Sequence, residues 1–293
     1  MTTLRITSGP MADGPLTSAA SYTARSAFDA AGFVAALPWV VGGLAVVLAV
    51  TFALALRLGR HSVIDSAWGV AFTVVAVVSF VASSGSGNDG RRIVITALTV
   101  VWGLRLAIFI AWRQRGERED PRYAALLSRA PGDPRVYALR MVYLLQGVIV
   151  LFVSVPVQVT QYSSDGLGAL AFAGVALWAV GLGFEAVGDA QKARFKADPA
   201  NRGAVLDRGL WRYTRHPNYF GDACVWWGLF LVAADAWPGV LTVLSPLLMT
   251  FILVRGTGKK LSETRMSARP GFAAYVERTS GFVPLPPRQR SSE

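Results

Sequence analysis

The chain has 293 residues, of which 53% are hydrophobic and 16% are charged, and its formal net charge is +11. Soluble domains are typically about one quarter charged, so this composition argues against an ordinary soluble enzyme and a disordered chain. A basic membrane face explains the positive charge better than nucleic-acid binding, so no nucleic-acid partner is expected. A single cysteine, Cys224, excludes an internal disulfide, and two histidines are too few for a typical structural zinc site, so no metal is expected.

Residues 1–32 are rich in Ser, Thr, Ala and Gly, and the absence of periodicity predicts a flexible leader. Seven apolar segments follow, and most reach the about 20 residues that a helix needs to cross a bilayer, although the last two are marginal. Backbone polar groups in lipid must bond internally, which favours helices. The segments are 33–57, 64–82, 93–112, 137–160, 167–189, 218–235 and 238–254. The predicted fold is all-α, an integral membrane bundle of about seven helices at 33–287 with a tail at 288–293.

Basic residues are concentrated on one side of this predicted bundle. Of the 29 Lys and Arg residues, 23 lie in 57–63, 113–136, 190–217 and the segment from 255 onward, whereas four lie on the other side. Positively charged loops stay in the cytoplasm, so the N-terminus is predicted outside and the C-terminus inside. The basic connections are also long and aromatic, so the site is expected at the cytoplasmic face.

Several ionisable residues fall inside the apolar segments, where each costs about 2.5–3.5 kcal/mol at a helix centre. Asp65 opens the second segment, either as a helix cap or as a site residue. Arg105 lies midway in the third; it either snorkels or faces an interior cavity, and the cavity is favoured. Arg140, Tyr143 and Gln146 form a polar stripe at helical spacing in the fourth, for which interhelical hydrogen bonding is the plain explanation.

Glu185 and Asp189 are spaced four residues apart near the end of the fifth segment. This spacing places two like charges on one helix face, and the negative end of the helix dipole disfavours both. The arrangement is reasonable if cations or hydrogen-bond donors meet that face. Ribose hydroxyls or a carboxamide would suit it, and so would the neighbouring side chains Lys192, Arg194, Lys196 and Arg202.

The segment 209–222 leads into the sixth helix. Pro217 suits a first helical turn, and the free N–H groups of that turn together with Arg212 and Arg215 form an anion site. A phosphate or pyrophosphate is the natural ligand, and anionic lipid headgroups are the alternative. Further polar groups of this turn are Asn218, Tyr219 and Asp222.

The C-terminal tail interleaves basic and aromatic residues, among them Arg265, Tyr275 and Arg278. This pattern predicts short helices on the cytoplasmic face, which are either interfacial or cover a nucleotide. The chain has no Rossmann Gly-x-Gly-x-x-Gly, no P-loop and no Gly-x-Ser-x-Gly motif. A bound nucleotide would therefore be held without those devices.

The motifs Glu185-x-x-x-Asp189 and Arg215-His216-Pro217-Asn218-Tyr219, with the tail motif Arg269-Pro270-Gly271-Phe272, resemble those of steroid 5-alpha-reductase-like membrane proteins. The chain is most similar to their bacterial DUF1295 branch, over roughly 63–287. One departure is Asp222, where the family usually has Glu after Tyr-Phe-Gly.

The resemblance implies a seven-helix bundle that binds NADPH from the cytoplasmic side and transfers a hydride to an activated C=C bond of a steroid or other lipid-like enone. It also implies a bacterial inner membrane location. The nucleotide residues it suggests are Glu185, Asp189, Lys196, Arg202, Arg212, Arg215, His216, Asn218, Tyr219 and Asp222, with Arg265, Tyr275 and Arg278 closing over the ligand. Asp65, Tyr143 and Arg105 are the candidates for polarising the substrate carbonyl, with Asp65 protonated by burial.

Two other functions remain open. Membrane isoprenylcysteine carboxyl methyltransferases share an Arg-His-Pro-x-Tyr-x-Gly run, with which they bind S-adenosylmethionine. The long match and the number of arginines favour the reductase, because a dinucleotide phosphate needs several cations. A lipid-binding or scaffold protein without chemistry is the third hypothesis, and the polar groups inside the apolar segments argue against it.

Overall fold

The computed structural model describes residues 27–256 and 258–288, without the side chains of Lys260, Leu261 and Arg265. Most of the predicted leader and the end of the predicted tail lie outside these ranges. The described residues are predominantly α-helical, which confirms the predicted all-α class. The helices are α1 Ala30–Leu58, α2 Val63–Ala82, α3 Asp89–Arg113, α4 Pro121–Leu127, α5 Pro134–Ala138, α6 Leu145–Val153, α7 Val155–Thr160, α8 Ala169–Ala197, α9 Pro217–Ala234, α10 Leu244–Val254, α11 Lys259–Met266 and α12 Phe272–Arg278.

Five helical segments are long and apolar enough to cross a membrane, which identifies a membrane protein. These segments are α1, α2, α3, Pro134–Val153 and α8. The shorter apolar segment Gly239–Val254 and helix α9 occupy the last two predicted positions.

The fourth predicted segment is interrupted. Helix α5 passes through a π-helical turn at Leu139–Leu144 into α6, and α7 begins after a break at Ser154 with Pro156 in its first turn. A proline lacks the N–H that a continuous helix requires, so the break falls where the sequence places this residue.

Helix α8 continues to Ala197, beyond the predicted end at 189. Arg194 and Lys196 occupy its last turn, where cations favour the helix dipole. Asp189 therefore lies about two turns before the helix end, and the expected conflict between Asp189 and the C-terminal dipole was wrong. The extension also places Lys192 and Lys196 on the same helix as the two carboxylates.

Glycines hold the helices of the bundle together in two close pairs. In the first pair, a Cβ on Gly69 of α2 would lie 2.1 Å from the carbonyl oxygen of Gly103 of α3. In the second, a Cβ on Gly181 of α8 would lie 2.6 Å from the carbonyl oxygen of Gly221 of α9. Small residues at a membrane helix interface allow the backbones to approach closely. The α2–α3 pair and the α8–α9 pair are therefore each tightly packed units.

Substituting Gly181 with alanine is expected to destabilise the protein by about 1–3 kcal/mol, because the added methyl group overpacks the contact with α9. Gly183→Ala is the matched control on the same helix, since its Cβ would meet nothing within 4 Å. There the better helix propensity of alanine is expected to leave stability unchanged or raise it slightly. Thermal unfolding in detergent measures both variants. Equal effects would contradict the close α8–α9 packing.

Arg91 is one of the four basic residues that the sequence placed on the other side of the bundle, outside the apolar segments. It lies in the first turn of α3 and is fully buried. Its guanidinium pairs with Asp235 at 2.6 Å and donates to the carbonyl oxygens of Val232 at 2.6 Å and Gly166 at 2.5 Å. The side chain ties α3 to the ends of α8 and α9, so its function is structural.

Candidate functional site

An ionic cluster connects the two helix pairs. The guanidinium of Arg105 on α3 contacts Glu185 at 2.6 Å and Asp189 at 2.5 Å, both on α8. Trp102 Nε1 also donates to Glu185, at 2.9 Å. Arg105 therefore faces the bundle interior, the orientation favoured from the sequence. The guanidinium and the indole N–H that meet the two carboxylates come from α3, and not from the basic end of α8 that was considered as the alternative.

A second cluster surrounds Asp65. One carboxylate oxygen accepts from Arg122 Nη2 at 2.8 Å, and the other accepts from the Tyr123 hydroxyl at 2.6 Å. Arg122 also pairs with Asp120 at 3.0 Å. Burial and the neighbouring Asp65 carboxylate raise the pKa of Tyr123, so its hydroxyl stays protonated at neutral pH. Asp65 thus accepts two hydrogen bonds here, and its role as a protonated donor to a substrate stays a prediction.

Tyr143 belongs to a different group from Asp65. Its hydroxyl lies 3.1 Å from His61 Nδ1, and its ring packs edge-on against Phe52 with centroids 5.0 Å apart. Burial lowers the pKa of His61. The structure therefore does not bring Tyr143 and Asp65 together as a donor pair.

A cavity of about 300 Å³, called the inner cavity, lies between the two helix pairs and α10. One part of its wall is apolar, and the other carries most of the predicted polar residues. The polar lining comprises Asp65, Arg113, Asp120, Arg122, Glu185, Asp189, Lys192, Asn218, Tyr219, Asp222 and Ser262. Asn218 Nδ2 contacts Asp189 at 3.3 Å, and Asp222 Oδ1 is buried without a hydrogen-bond partner among the described residues.

A second cavity of about 560 Å³, called the outer cavity, lies beside the last turns of α8. Its charged lining is mostly basic: Lys192, Lys196, Arg202, Arg215 and Arg269 against Asp198. His216 and the aromatic rings of Trp211 and Tyr275 complete the wall. The Tyr275 hydroxyl donates to the Trp211 carbonyl at 2.6 Å, which fixes α12 against this wall.

The two cavities are adjacent, and the boundary between them is called the neck. Lys192 and Ser262 line both of them. His216 of the outer cavity stacks on Tyr219 of the inner cavity, with ring centroids 5.3 Å apart and an angle of 6° between the planes. The Lys192 ammonium also lies 5.2 Å from the Trp211 ring centroid. An elongated ligand that occupies both cavities would pass a cation at the neck.

Glu263 of α11 fixes this region. Its carboxylate accepts from Arg215 Nε at 2.9 Å and lies 3.0 Å from His216 Nε2. Arg215 is buried and also donates to the carbonyl oxygens of Val276 at 3.1 Å and Thr279 at 2.5 Å. Arg215 is therefore engaged in holding the C-terminal segment, although the sequence suggested it as a nucleotide residue.

Acidification is expected to weaken this contact. Burial alone would raise the pKa of Glu263, but the hydrogen bonds from His216 and Arg215 outweigh it and lower the pKa to about 2 from an ordinary 4.5. A depressed carboxylate pKa adds stability above pH 4.5 that disappears as the pH falls towards 2. After solvent screening we expect a loss of about 2 kcal/mol. The measurement is the unfolding midpoint as a function of pH. The midpoint of Glu263→Gln should depend less on pH than that of the wild type, and equal pH dependence would contradict Glu263 as the titrating group.

The remaining predicted residues are placed as follows. Lys196 and Arg202 line the outer cavity, whereas Arg212 is exposed and lines neither of the two cavities. Arg278 pairs with Asp207 at the surface. The side chain of Arg265 lies outside the described residues. Sequence reasoning missed Arg122, Tyr123 and Glu263 as site residues. For Arg122 and Tyr123 the available signal was their position in the first turn of a helix capped by Asp120.

The model of one protein family, described as "Protein of unknown function (DUF1295)", matches residues 51–279. The chain belongs to the DUF1295 family. This confirms the DUF1295 family predicted from the sequence, and the matched range includes every lining residue of both cavities. No curated protein and no solved structure matches the chain.

Proposed function

We propose that this DUF1295 protein is a membrane NADPH-dependent reductase that acts on an activated C=C bond of a lipid-like enone. The observation that carries the proposal is the pair of adjacent cavities that share Lys192 as a lining residue at the neck. A dinucleotide is an elongated ligand with a ring system at each end and a diphosphate between them. The neck cation would lie at the diphosphate, with one ring system in each cavity.

The outer cavity fits the phosphorylated, adenosine end. Lys196, Arg202 and Arg269 contribute three cations to its wall besides Arg215 and the neck Lys192. A phosphate monoester at the ribose needs such a cluster, and arginine binds it with two parallel hydrogen bonds. Since the guanidinium of Arg215 is already held by Glu263 and backbone carbonyls, the recognition falls to the other three.

The inner cavity fits the nicotinamide end. The unpartnered oxygen of Asp222 is an acceptor for a carboxamide N–H group, and Asn218 lies beside it in the lining. Bound NADPH supplies a hydride and becomes positively charged at its ring as it does so. Glu185 and Asp189 share the single guanidinium of Arg105, so the cluster keeps an excess negative charge. This excess negative charge would stabilise the positive charge that develops on the nicotinamide ring, and it would therefore lower the barrier to hydride transfer.

The proposal includes the topology expected from the sequence. We propose seven membrane crossings, in which α9 and Gly239–Val254 are the last two. The N-terminus would lie outside and the C-terminus in the cytoplasm of a bacterial inner membrane. The supporting observation is that the basic outer cavity belongs to the segments that hold 23 of the 29 Lys and Arg residues.

S-adenosylmethionine methyl transfer is the second candidate, and the acidic inner cavity favours it because the sulfonium is a cation. The basic outer cavity argues the other way, since S-adenosylmethionine carries no phosphate. The two cavities together therefore favour the phosphorylated dinucleotide.

Ligand binding to the purified protein in mild detergent tests the proposal. NADPH is expected to raise the unfolding temperature in proportion to its concentration, and NADH is expected to bind at least about tenfold more weakly because one phosphate contact is lost. S-adenosylmethionine is the comparison ligand. Stabilisation by S-adenosylmethionine but not by NADPH would reject the reductase proposal in favour of the methyltransferase. Stabilisation by neither ligand would reject both proposals.

A further inference from the structure

Resting on the proposed function, we infer that the substrate is a single-chain lipid whose carbonyl oxygen binds Arg122 and whose chain passes between α3 and α10 into the bilayer. The inference concerns the part of the inner cavity opposite the nucleotide residues of α8 and α9. The inference narrows the proposed substrate class from lipid-like enones in general to enones with a linear hydrocarbon chain.

Arg122 supplies a hydrogen-bond donor that protein groups leave unused. Its Nη2 contacts Asp65 at 2.8 Å and Asp120 at 3.0 Å, which fixes the guanidinium from two sides. Its Nε is buried without a partner among the described residues, and the side chain lines the inner cavity. Tyr123 holds Asp65 in turn, at 2.6 Å. A donor held in this way is preorganised to bind an oxygen atom of a ligand.

The charge of the wall favours a neutral oxygen over a carboxylate. Five carboxylates and three cations line the inner cavity. Arg105 offsets Glu185 and Asp189 only in part, because one guanidinium serves both. An anionic headgroup would meet this excess negative charge at close range, so a ketone, ester or thioester carbonyl is favoured.

The apolar part of the wall comes from two helices that face the bilayer. Helix α3 contributes Leu106, Phe109 and Ile110, and α10 contributes Met249, Ile252 and Leu253. The neighbours of these residues are directed outward: Ile108 is 68% exposed and Phe251 is 60% exposed. Both helices therefore line the cavity with some side chains and direct neighbouring side chains outward. A hydrocarbon chain that leaves the cavity here stays in an apolar environment throughout.

The size of the inner cavity excludes a bulky ring system beside the nucleotide. Its volume of about 300 Å³ is at the lower end of what one drug-sized ligand occupies. Under the proposed function the same space also receives the nicotinamide ring. The room that remains suits the conjugated end of a chain, whereas four fused rings would not fit beside the nucleotide.

Arg122 would stabilise the negative charge that develops on the substrate carbonyl oxygen during hydride transfer. When the β carbon accepts the hydride supplied by NADPH, the electron pair of the C=C bond shifts towards the carbonyl, and the oxygen becomes negative. Arg122 donates to that oxygen, a role in which one hydrogen bond is typically worth a hundredfold or more in rate, about 10²–10³. A proton taken from cytosolic water then adds to the α carbon, and the carbonyl is restored as the saturated product.

Photolabelling tests this inference without nucleotide and without turnover. The probe is a fatty acid methyl ester that carries a diazirine in its chain, added to the protein in nanodiscs, and mass spectrometry identifies the labelled residues. We expect labels on α3 and α10 at the cavity. The α,β-unsaturated methyl ester of a sixteen-carbon acid should abolish this labelling, whereas a steroid enone should not. Competition by the steroid enone alone would overturn the inference.

Two variants and one control assign the contacts. Phe109→Trp is expected to weaken competition by the unsaturated ester about tenfold, because the larger ring fills part of the inner cavity. Ile108→Trp changes the outward-facing neighbour and should leave this competition unchanged. Arg122→Gln should weaken the ester about tenfold but leave an alkane of equal length unaffected. Equal losses for ester and alkane would remove Arg122 as the carbonyl ligand. Failure of NADPH to bind while the ester still competes would reject the proposed function but not this site.

Discussion

Replacing Arg105 with glutamine is expected to destabilise the protein by about 3–5 kcal/mol, the typical effect of removing one partner from a buried ion pair. The side chains of Glu185 and Asp189 are only 3% and 7% exposed, so each would be left as a buried carboxylate without its cation. Thermal unfolding in detergent measures the effect. It should exceed that of any single surface arginine.

Two further variants separate the charge effect from the loss of a side chain. Arg115→Gln is the control for an exposed arginine just beyond the end of α3, and little change is expected. The triple variant Arg105→Gln, Glu185→Gln and Asp189→Asn removes the charges together and should recover a large part of the lost stability. If the triple variant is as unstable as the single one, the ionic cluster does not stabilise the bundle.

Replacing Lys192 with alanine is expected to weaken NADPH binding about 10- to 100-fold. The ammonium lines both cavities at their neck, and the loss of a hydrogen bond to a charged group is typically worth about 1.5–3 kcal/mol. Since the diphosphate is common to both nucleotides, NADH binding should fall by a similar factor. Isothermal titration with NADPH and NADH gives both affinities.

Arg194→Ala is the matched control, because Arg194 lies two residues further on the same helix, is exposed and lines neither of the two cavities. It should retain the wild-type affinity for both nucleotides. Arg202→Ala is informative in a different way, since a cation of the outer cavity should affect NADPH more than NADH. A Lys192 variant that binds as tightly as wild type would place the ligand elsewhere.

The sequence predicted the helices and the acidic face of α8 because both depend on local patterns. Hydropathy over about 20 residues locates an apolar helix, and a spacing of four places Glu185 and Asp189 together without any knowledge of the fold. The same reasoning led to the interior orientation of Arg105. It could not identify the partner, since Arg105 and Glu185 are 80 positions apart in the sequence and share no local signal.

The contacts that sequence reasoning missed are those that depend on tertiary packing. Asp65 and Tyr143 lie in the second and fourth apolar segments and looked equivalent as donors, but Asp65 bonds to Tyr123 of α4, whereas Tyr143 bonds to His61. Arg215 is part of a motif that suggests anion binding, yet a glutamate 48 residues later occupies its guanidinium. Side-chain partners over such distances follow only from the packed structure.

The glycine contacts within the α2–α3 and α8–α9 pairs determine how the interior of this protein can change size. Backbones in such close contact leave no room for one helix to slide or bend against its mate. Widening the inner cavity therefore requires displacement of one whole pair relative to the other, with Arg105 as the pivot because it bonds across the boundary. Binding of a larger ligand would then require the inner cavity to open in one concerted step, and not by gradual local adjustment of single helices.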